Sequence, residues 1–205
     1  MLNKNARKVL HAMERMALQG AFTLCKKYSE DTENDVTDAG RRAGFKYVAG
    51  GAFSQVFESP AVPGMVVKVT TSEYDGYHDF VRFVMERGPS LPYGQQRYLP
   101  VIYSSEVICG VRITLMERLD RAWCLQYGQE TYDEELYAEF SALKGRDDGS
   151  TNPDAVALHE ELTEWMSGTD CAWDLHRNNV MLRDGELVIT DPWSTYKEDS
   201  EASEW

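Results

Sequence analysis

Asp174, Asn179 and Asp191 are the residues of this 205-residue chain whose types and spacing could do chemistry. They lie in Asp174-Leu175-His176-Arg177-Asn178-Asn179 and in Leu187-Val188-Ile189-Thr190-Asp191, so that an acid is followed by an amide five residues on and by a second acid twelve residues after that. Phosphoryl transfer uses such a set: one carboxylate orients or deprotonates the acceptor hydroxyl, while an Asn and an Asp hold magnesium against nucleotide phosphates. The same residues also read as a polar turn between a helix and a hairpin, with Asp191 capping whatever follows. A further candidate, Lys68, stands inside Met65-Val66-Val67-Lys68-Val69-Thr70, the most strongly β-prone run in the chain. Alternation puts Lys68 on the face of Val66 and Thr70, opposite Val67 and Val69. A Lys in that place costs free energy unless its charge meets a partner, or unless the strand is an edge from which it reaches water.

The elements that must position these groups follow from periodicity and turn chemistry. Residues 4–28 have apolar positions at helical spacing, with bases on the other faces, and predict a helix. Ser29 to Asp35 is acidic and reads as an exposed linker, with Asp35 or Thr37 able to cap a short helix after it. Phe45 to Val48 and Gln55 to Glu58 are strands on either side of Ala49-Gly50-Gly51-Ala52-Phe53-Ser54, a glycine hairpin. After the Lys68 strand, Tyr74 to Glu86 is a helix closed by the breakers of Arg87 to Pro92. Leu99 to Tyr103 and Val111 to Met116 supply two more strands. Tyr132 to Phe140 is a short acidic helix, Lys144 to Pro153 a loop, and Asp154 to Ser167 a helix with Asp154 as its cap. Val180 to Leu182 and Leu187 to Ile189 flank an Asp184-Gly185 hairpin turn.

Composition narrows the function. With 34 acids against 21 bases the net charge is −13, which argues against direct nucleic-acid binding, since phosphate contacts need clustered Lys and Arg. Such acidity serves solubility, and could suit a basic protein partner. The four cysteines form no C-x-x-C pair, so a structural zinc site is not expected, and reduced thiols in a cytoplasmic protein are. No apolar run is long enough to span a bilayer, and Glu14 and Arg15 interrupt what would be a signal core. The expectation is a cytoplasmic protein without a membrane role.

Taken together, the order of these features resembles the protein-kinase-like superfamily from Phe45 to Ser194. Gly50-Gly51-Ala52-Phe53-Ser54-Gln55-Val56 is similar to the glycine-rich loop over ATP phosphates, Val66-Val67-Lys68 to the strand of the phosphate-contacting Lys, Asp174 with Asn179 to the catalytic loop, and Asp191 to the magnesium-binding Asp. Within that superfamily, Ala43-Gly44-Phe45-Lys46, Gly51-Ala52-Phe53-Ser54, Val67-Lys68-Val69 and Ile189-Thr190-Asp191-Pro192 resemble the early serine/threonine protein kinases of T-seven-type short-tailed bacteriophages. The sequence also departs from the pattern. Ala49 and Ser54 stand where the loop has its first and third glycines. Ala172-Trp173 precedes the acid in place of His-Arg, His176 stands where protein kinases usually have Lys, and Pro192-Trp193 follows Asp191 in place of Phe-Gly. No A-P-E segment follows.

The resemblance implies an α+β, two-lobed fold. Residues 1–40 would be an N-terminal helix and acidic linker, 41–119 a β-rich nucleotide-binding lobe with a small antiparallel sheet and one helix, and 120–205 a reduced, mostly helical catalytic lobe with a short acidic tail. It implies ATP and Mg2+ as cofactors and host proteins as substrates. Asp174 would orient the acceptor, with His176 beside it, and Asn179 and Asp191 would hold the metal. Lys68 would grip the phosphates under the loop of Gly50, Gly51, Ala52, Phe53 and Ser54. Its carboxylate partner would be Glu86, at about the expected spacing, in preference to Glu73. Val56, Val66 and Met181 would line the adenine, with Met116 behind it and Glu117 to Leu119 as the hinge. Two other readings stand beside this one. One is a pseudokinase-like acidic protein that inhibits a host partner. The other is a small-molecule phosphotransferase of aminoglycoside type, suggested by Asp174-Leu175-His176.

Overall fold

The computed structural model describes residues 8, 11, 32–51, 53–71, 76–108, 111–122, 125–126, 129–130, 134–146 and 152–195. The helix expected over 4–28, Glu73 and the acidic tail lie outside these. The protein is α+β, and the chain divides into two units: Met1–Glu73 with Val101–Arg118, and Tyr74–Pro100 with Leu119–Trp205.

The first unit is a five-stranded antiparallel sheet and one helix. α1 (Thr32–Arg42) starts inside the stretch expected as a linker. It ends where Gly44 turns to φ +83°, with the Gly44 and Phe45 amides donating to Arg41 O at 3.0 Å and Gly40 O at 3.0 Å. That is the paired bond set of a glycine-terminated helix. β1 (Lys46–Gly50), β2 (Ser54–Glu58), β3 (Met65–Thr70), β4 (Ile102–Ile108) and β5 (Val111–Glu117) follow, in the spatial order β1-β2-β3-β5-β4. Cross-strand partners share a face. Phe57 opposite Val67 and Leu115, and Val69 opposite Ile113, therefore form one apolar face. Val36 of α1, Phe45 and Val62 cover it. Each such side chain contributes about 1.5–3 kcal/mol on full burial, which sets the register: a one-residue slip of β3 would exchange Val67 and Val69 for Lys68.

The second unit contains α2 (Tyr77–Glu86), a single-turn α3 (Tyr93–Gln96), α4 (Glu134–Leu143) and α5 (Pro153–Met166). Its strands are β6 (Asp120–Arg121), β7 (Leu125–Gln126), β8 (Gln129–Glu130), β9 (Cys171–Trp173), β10 (Val180–Arg183), β11 (Glu186–Ile189) and β12 (Trp193–Thr195). They pair as β11-β10-β6, β12-β9 and β7-β8. α2, expected within the β-rich lobe, groups with this unit instead. The cause is aromatic. Phe80 and Phe83 meet Trp193 edge-on at 5.8 and 6.1 Å, and Phe83 meets Trp165 at 5.6 Å. Gly76, just before α2, has room for no side chain: a Cβ there would lie 2.6 Å from the Trp193 carbonyl.

α5 is capped by Asn152, whose side chain accepts from the Asp154 and Ala155 amides, with Pro153 in the first turn. Asp154, the cap expected from sequence, is two residues too late. Pro153 has no amide to be satisfied, so the acceptor belongs on the residue before it. The β10–β11 turn is made by Asp184 at φ 52° and Gly185 at φ 88°, the two left-handed residues of a tight hairpin. The hairpin is fastened at its side. Arg183 donates to Arg97 O and Leu99 O at 3.0 and 2.8 Å, and the Ile189 amide donates to Tyr98 O at 2.8 Å. Among the described residues no helix is long and apolar enough to cross a membrane.

Candidate functional site

In the first unit, the sheet face opposite the apolar core carries Lys68. Its cross-strand partners are Val56 on β2 and Thr114 on β5, and Val66 faces Met116 on the same side. Lys68 is 8% exposed, Val66 8% and Met116 6%, while Thr70 and Thr114 are fully buried. The four residues named from sequence as phosphate grip and adenine lining (Lys68, Val56, Val66, Met116) therefore share one sheet face, as alternation requires. A polar strip continues across that face, with Ser105 and Thr114 hydroxyls 3.0 Å apart and Arg112 donating to Ser105 at 2.9 Å.

The glycine hairpin joins β1 to β2. Gly50 pairs with Gln55, and the Gly51 amide donates to Ser54 O at 2.8 Å. A bulge at Val48 shifts the register between Tyr47 and Ala49, which twists the strand pair at the approach to the turn. Gly51 has open space around it and Phe53 is exposed at the tip. Ala52 lies outside the described residues. Glu117, at the end of β5, is tied to β4: its amide donates to Val101 O at 3.0 Å and its carboxylate accepts from the Val101 amide at 2.7 Å. Arg118 pairs with Glu58 at 2.7 Å.

In the second unit, Asp174, Asn179 and Asp191 are gathered by backbone hydrogen bonds. β9 and β12 pair Trp173 with Trp193, and the Asp174 amide then donates to Pro192 O at 2.8 Å. β10 and β11 pair Val180 with Ile189, and the Thr190 amide then donates to Asn179 O at 2.8 Å. Asp191 sits between the two bonded residues, Thr190 and Pro192. Leu175, 3% exposed, roots the loop in the interior, leaving Asp174 and His176 about half exposed on either side of it.

Side chains complete the arrangement. Asn179 Nδ2 donates to the Asp174 carbonyl at 2.9 Å, which turns its Oδ1 away from that bond. His176 is the cap of a short 3-10 turn over Arg177–Asn179, its Nδ1 accepting the Asn178 amide at 3.2 Å. An accepting Nδ1 leaves the imidazole proton on Nε2. That N–H faces Asp174 Oδ2 at 3.9 Å, and the 3.3 Å approach of Asn179 Nδ2 is then a contact between two donors. A carboxylate on Asp191 and an amide oxygen on Asn179 are hard donors of the kind magnesium takes, a few protein oxygens with water and phosphate completing the shell. Among the described residues no group of three or more His, Cys, Asp or Glu is placed to hold a metal.

Glu86, named from sequence as the carboxylate partner of Lys68, belongs to the second unit and Lys68 to the first. Glu86 closes α2 in the second unit, exposed, with Arg82 Nε 3.7 Å from its carboxylate. Leu119 and Met181 both belong to the second unit, Met181 opposite Arg121 in the β10–β6 pair.

Sequence reasoning missed a supporting layer beside Asp174. His159 of α5 stacks on Trp173 with ring centroids 4.8 Å apart and planes 19° apart, and its Nδ1 donates to Leu143 O at 3.0 Å. Gly145, at φ +69°, packs so closely that a Cβ would lie 2.3 Å from His159 Nε2. A glycine two residues past a helical run was the available signal.

No protein-family model matches the sequence, and no curated protein matches it at a significant level. The structure is distantly similar to solved structures of a kinase domain. A mutant of the Mycobacterium tuberculosis PknI kinase domain superposes with a TM-score of 0.41 at 15% identity, over 73% of this chain and 59% of that one. A double mutant of the same domain gives 0.40 at 16% identity, over 73% and 58%. This chain thus spans under two thirds of the length of those domains.

Proposed function

We propose that the protein is an ATP- and magnesium-dependent phosphotransferase, with serine or threonine hydroxyls of host proteins as acceptors. The observation that carries the reading is the gathering of Asp174, Asn179 and Asp191 by the two backbone bonds that close the hairpin. A polar turn has no need of that convergence. The placement of Lys68 with Val56, Val66 and Met116 on one sheet face supports it independently. The protein acceptor rests on the resemblance of the glycine hairpin and the Thr190-Asp191-Pro192 segment to phage serine/threonine kinases.

In this reading Asp174 accepts a hydrogen bond from the acceptor hydroxyl and aims its oxygen at the γ-phosphorus. The Asn179 amide oxygen and the Asp191 carboxylate would hold magnesium, which neutralises phosphate charge when bound. Lys68 holds the α- and β-phosphates, and the amides of the Gly50–Ser54 turn close over them. His176 keeps the Asp174 loop in shape through its cap on Asn178. Thermal unfolding with and without Mg·ATP tests the nucleotide site. At a hundredfold excess over the dissociation constant, binding stabilises by about 2.7 kcal/mol, and Asp191→Ala should abolish the shift. A shift unchanged in Asp191→Ala, or none in the wild type, would sink the proposal.

A further inference from the structure

We infer that Glu139 is a positioning residue for the magnesium site, acting on Asn179 and Asp191 through the backbone of residues 97–99. The role rests on the phosphotransferase reading above and adds to it a residue from a different element. Glu139 lies on α4, and three side chains converge on its Oε1. Arg97 Nη2 donates at 2.7 Å, Asn152 Nδ2 donates at 2.7 Å, and the Tyr98 hydroxyl donates beside them. Asn152 is the cap of α5. One carboxylate oxygen therefore joins α4, the start of α5 and the segment 97–99.

That segment braces the β10–β11 hairpin. Its three successive carbonyls all accept from the hairpin: Arg97 O and Leu99 O from the Arg183 guanidinium, and Tyr98 O from the Ile189 amide at 2.8 Å. Arg97 Nη1 also reaches Glu186, at the start of β11, at 3.3 Å. Ile189 is the sensitive point. It pairs with Val180, the residue after Asn179, and the next amide, that of Thr190, donates to Asn179 O. Asp191 follows directly. A shift of the Tyr98 carbonyl therefore moves Ile189, and with it the residues that adjoin both Asn179 and Asp191. The Tyr98 ring is fully buried, so apolar contact keeps it inside. Apolar contact is not directional; the bond donated to Glu139 is, and it fixes how the ring and its backbone sit.

Removing this carboxylate takes the acceptor from the Tyr98 hydroxyl and from Asn152 in part-buried surroundings, and takes from Arg97 the closer of its two acids. Donors left without an acceptor away from water cost more than the bond itself contributes, so the brace would shift to meet solvent. Groups that orient metal ligands from outside the ligand set carry about 10–100-fold of metal affinity. The competing account is that Glu139 only fastens α4 to α5. Its loss would then loosen the second unit evenly.

Hydrogen exchange of the metal-free chain separates the two accounts. In Glu139→Ala the Ile189 and Thr190 amides should exchange about tenfold faster, with the α2 amides within about twofold of wild type. The Mg2+ concentration that gives half of the full ATP-induced melting shift should also rise about tenfold, the low end of such effects. Glu139→Gln keeps an accepting oxygen of the same reach and should bring both readings back to within about threefold of wild type. Arg87→Ala is the control. It breaks the ion pair to Glu161 that joins the end of α2 to α5 at 2.8 Å, and should move neither reading. An exchange rate at Ile189 and Thr190 or a magnesium midpoint within about twofold of wild type in Glu139→Ala would overturn the role of Glu139 while leaving the phosphotransferase standing. A rise shared equally by α2, or matched in Arg87→Ala, would do the same. Should Glu139→Ala not fold, Tyr98→Phe decides: exchange at Ile189 about threefold faster supports the role, and an unchanged rate overturns it. No magnesium-dependent ATP shift in the wild-type chain would overturn both.

Discussion

Replacing Gly145 by Ala tests whether the layer under Asp174 is as tightly built as its geometry implies. Two costs arise. The residue is at φ +69°, and an L side chain in that region costs roughly 1–2 kcal/mol. The new methyl would also lie 2.3 Å from His159 Nε2. The imidazole is not free to swing aside, since it donates to Leu143 O and stacks on Trp173. Displacing it forfeits about 0.5–1.5 kcal/mol of ring contact and about 1 kcal/mol of hydrogen bond. Gly145→Ala should therefore destabilise by about 3 kcal/mol, read as a lowered urea midpoint at unchanged slope. His159→Ala alone should cost about 2 kcal/mol by the same two losses. In the double variant the methyl meets empty space, and only the backbone cost remains beyond that of His159→Ala. The pair should thus couple by about 2 kcal/mol in the direction of mutual relief. Costs that add to within about 0.5 kcal/mol would refute the close approach, as would a Gly145→Ala variant less than about 1 kcal/mol below wild type.

Two further outcomes are expected. Gly76→Ala should cost about 2–3 kcal/mol by overpacking, because the added Cβ would strike the Trp193 backbone at 2.6 Å rather than a movable side chain; a midpoint equal to wild type in urea would contradict this. Tyr98 is held above the usual phenol range of about 10, first by burial and then by its hydrogen bond to Glu139, against the opposing Arg97 guanidinium. A raised folded-state pKa stabilises fully below the unfolded value and is lost as pH climbs toward the folded one. Wild type should therefore lose stability relative to Tyr98→Phe as pH rises above about 10, and parallel stability curves for the two proteins from pH 9 to 11.5 would show the phenol to be unperturbed, on the roughly one-unit scale of such shifts.

How much could be seen beforehand differs by element. Lys68 was legible because strand alternation is a strict rule, and its face followed from Val67 and Val69 alone. The Asp184-Gly185 turn was legible because few residue pairs tolerate two left-handed positions. Asp174, Asn179 and Asp191 were legible as types and spacings. The bonds that gather them were not, since β9 and β12 are three residues each and carry no periodic signal of their own. The fate of α2 was hidden for a different reason. Its stripe of Tyr77, Phe80 and Phe83 says that it must pack, but its partner Trp193 lies over a hundred residues later. The start of α1 inside an acidic stretch was hidden because charge predicts exposure and says little about backbone conformation.

The closure of β9 on β12 around the β10–β11 hairpin has a kinetic consequence. Cys171 to Thr195 is one continuous segment, and every bond that gathers its three polar groups is made within it. Loops this short close quickly, and hairpins form in about 1–10 μs. Low sequence separation also keeps the entropy of assembly small. The acid, amide and acid are thus joined by the fastest class of contacts in the chain, whereas the Lys68 sheet has to bring β5 across the inserted stretch of residues 74–100 before its central pair can form.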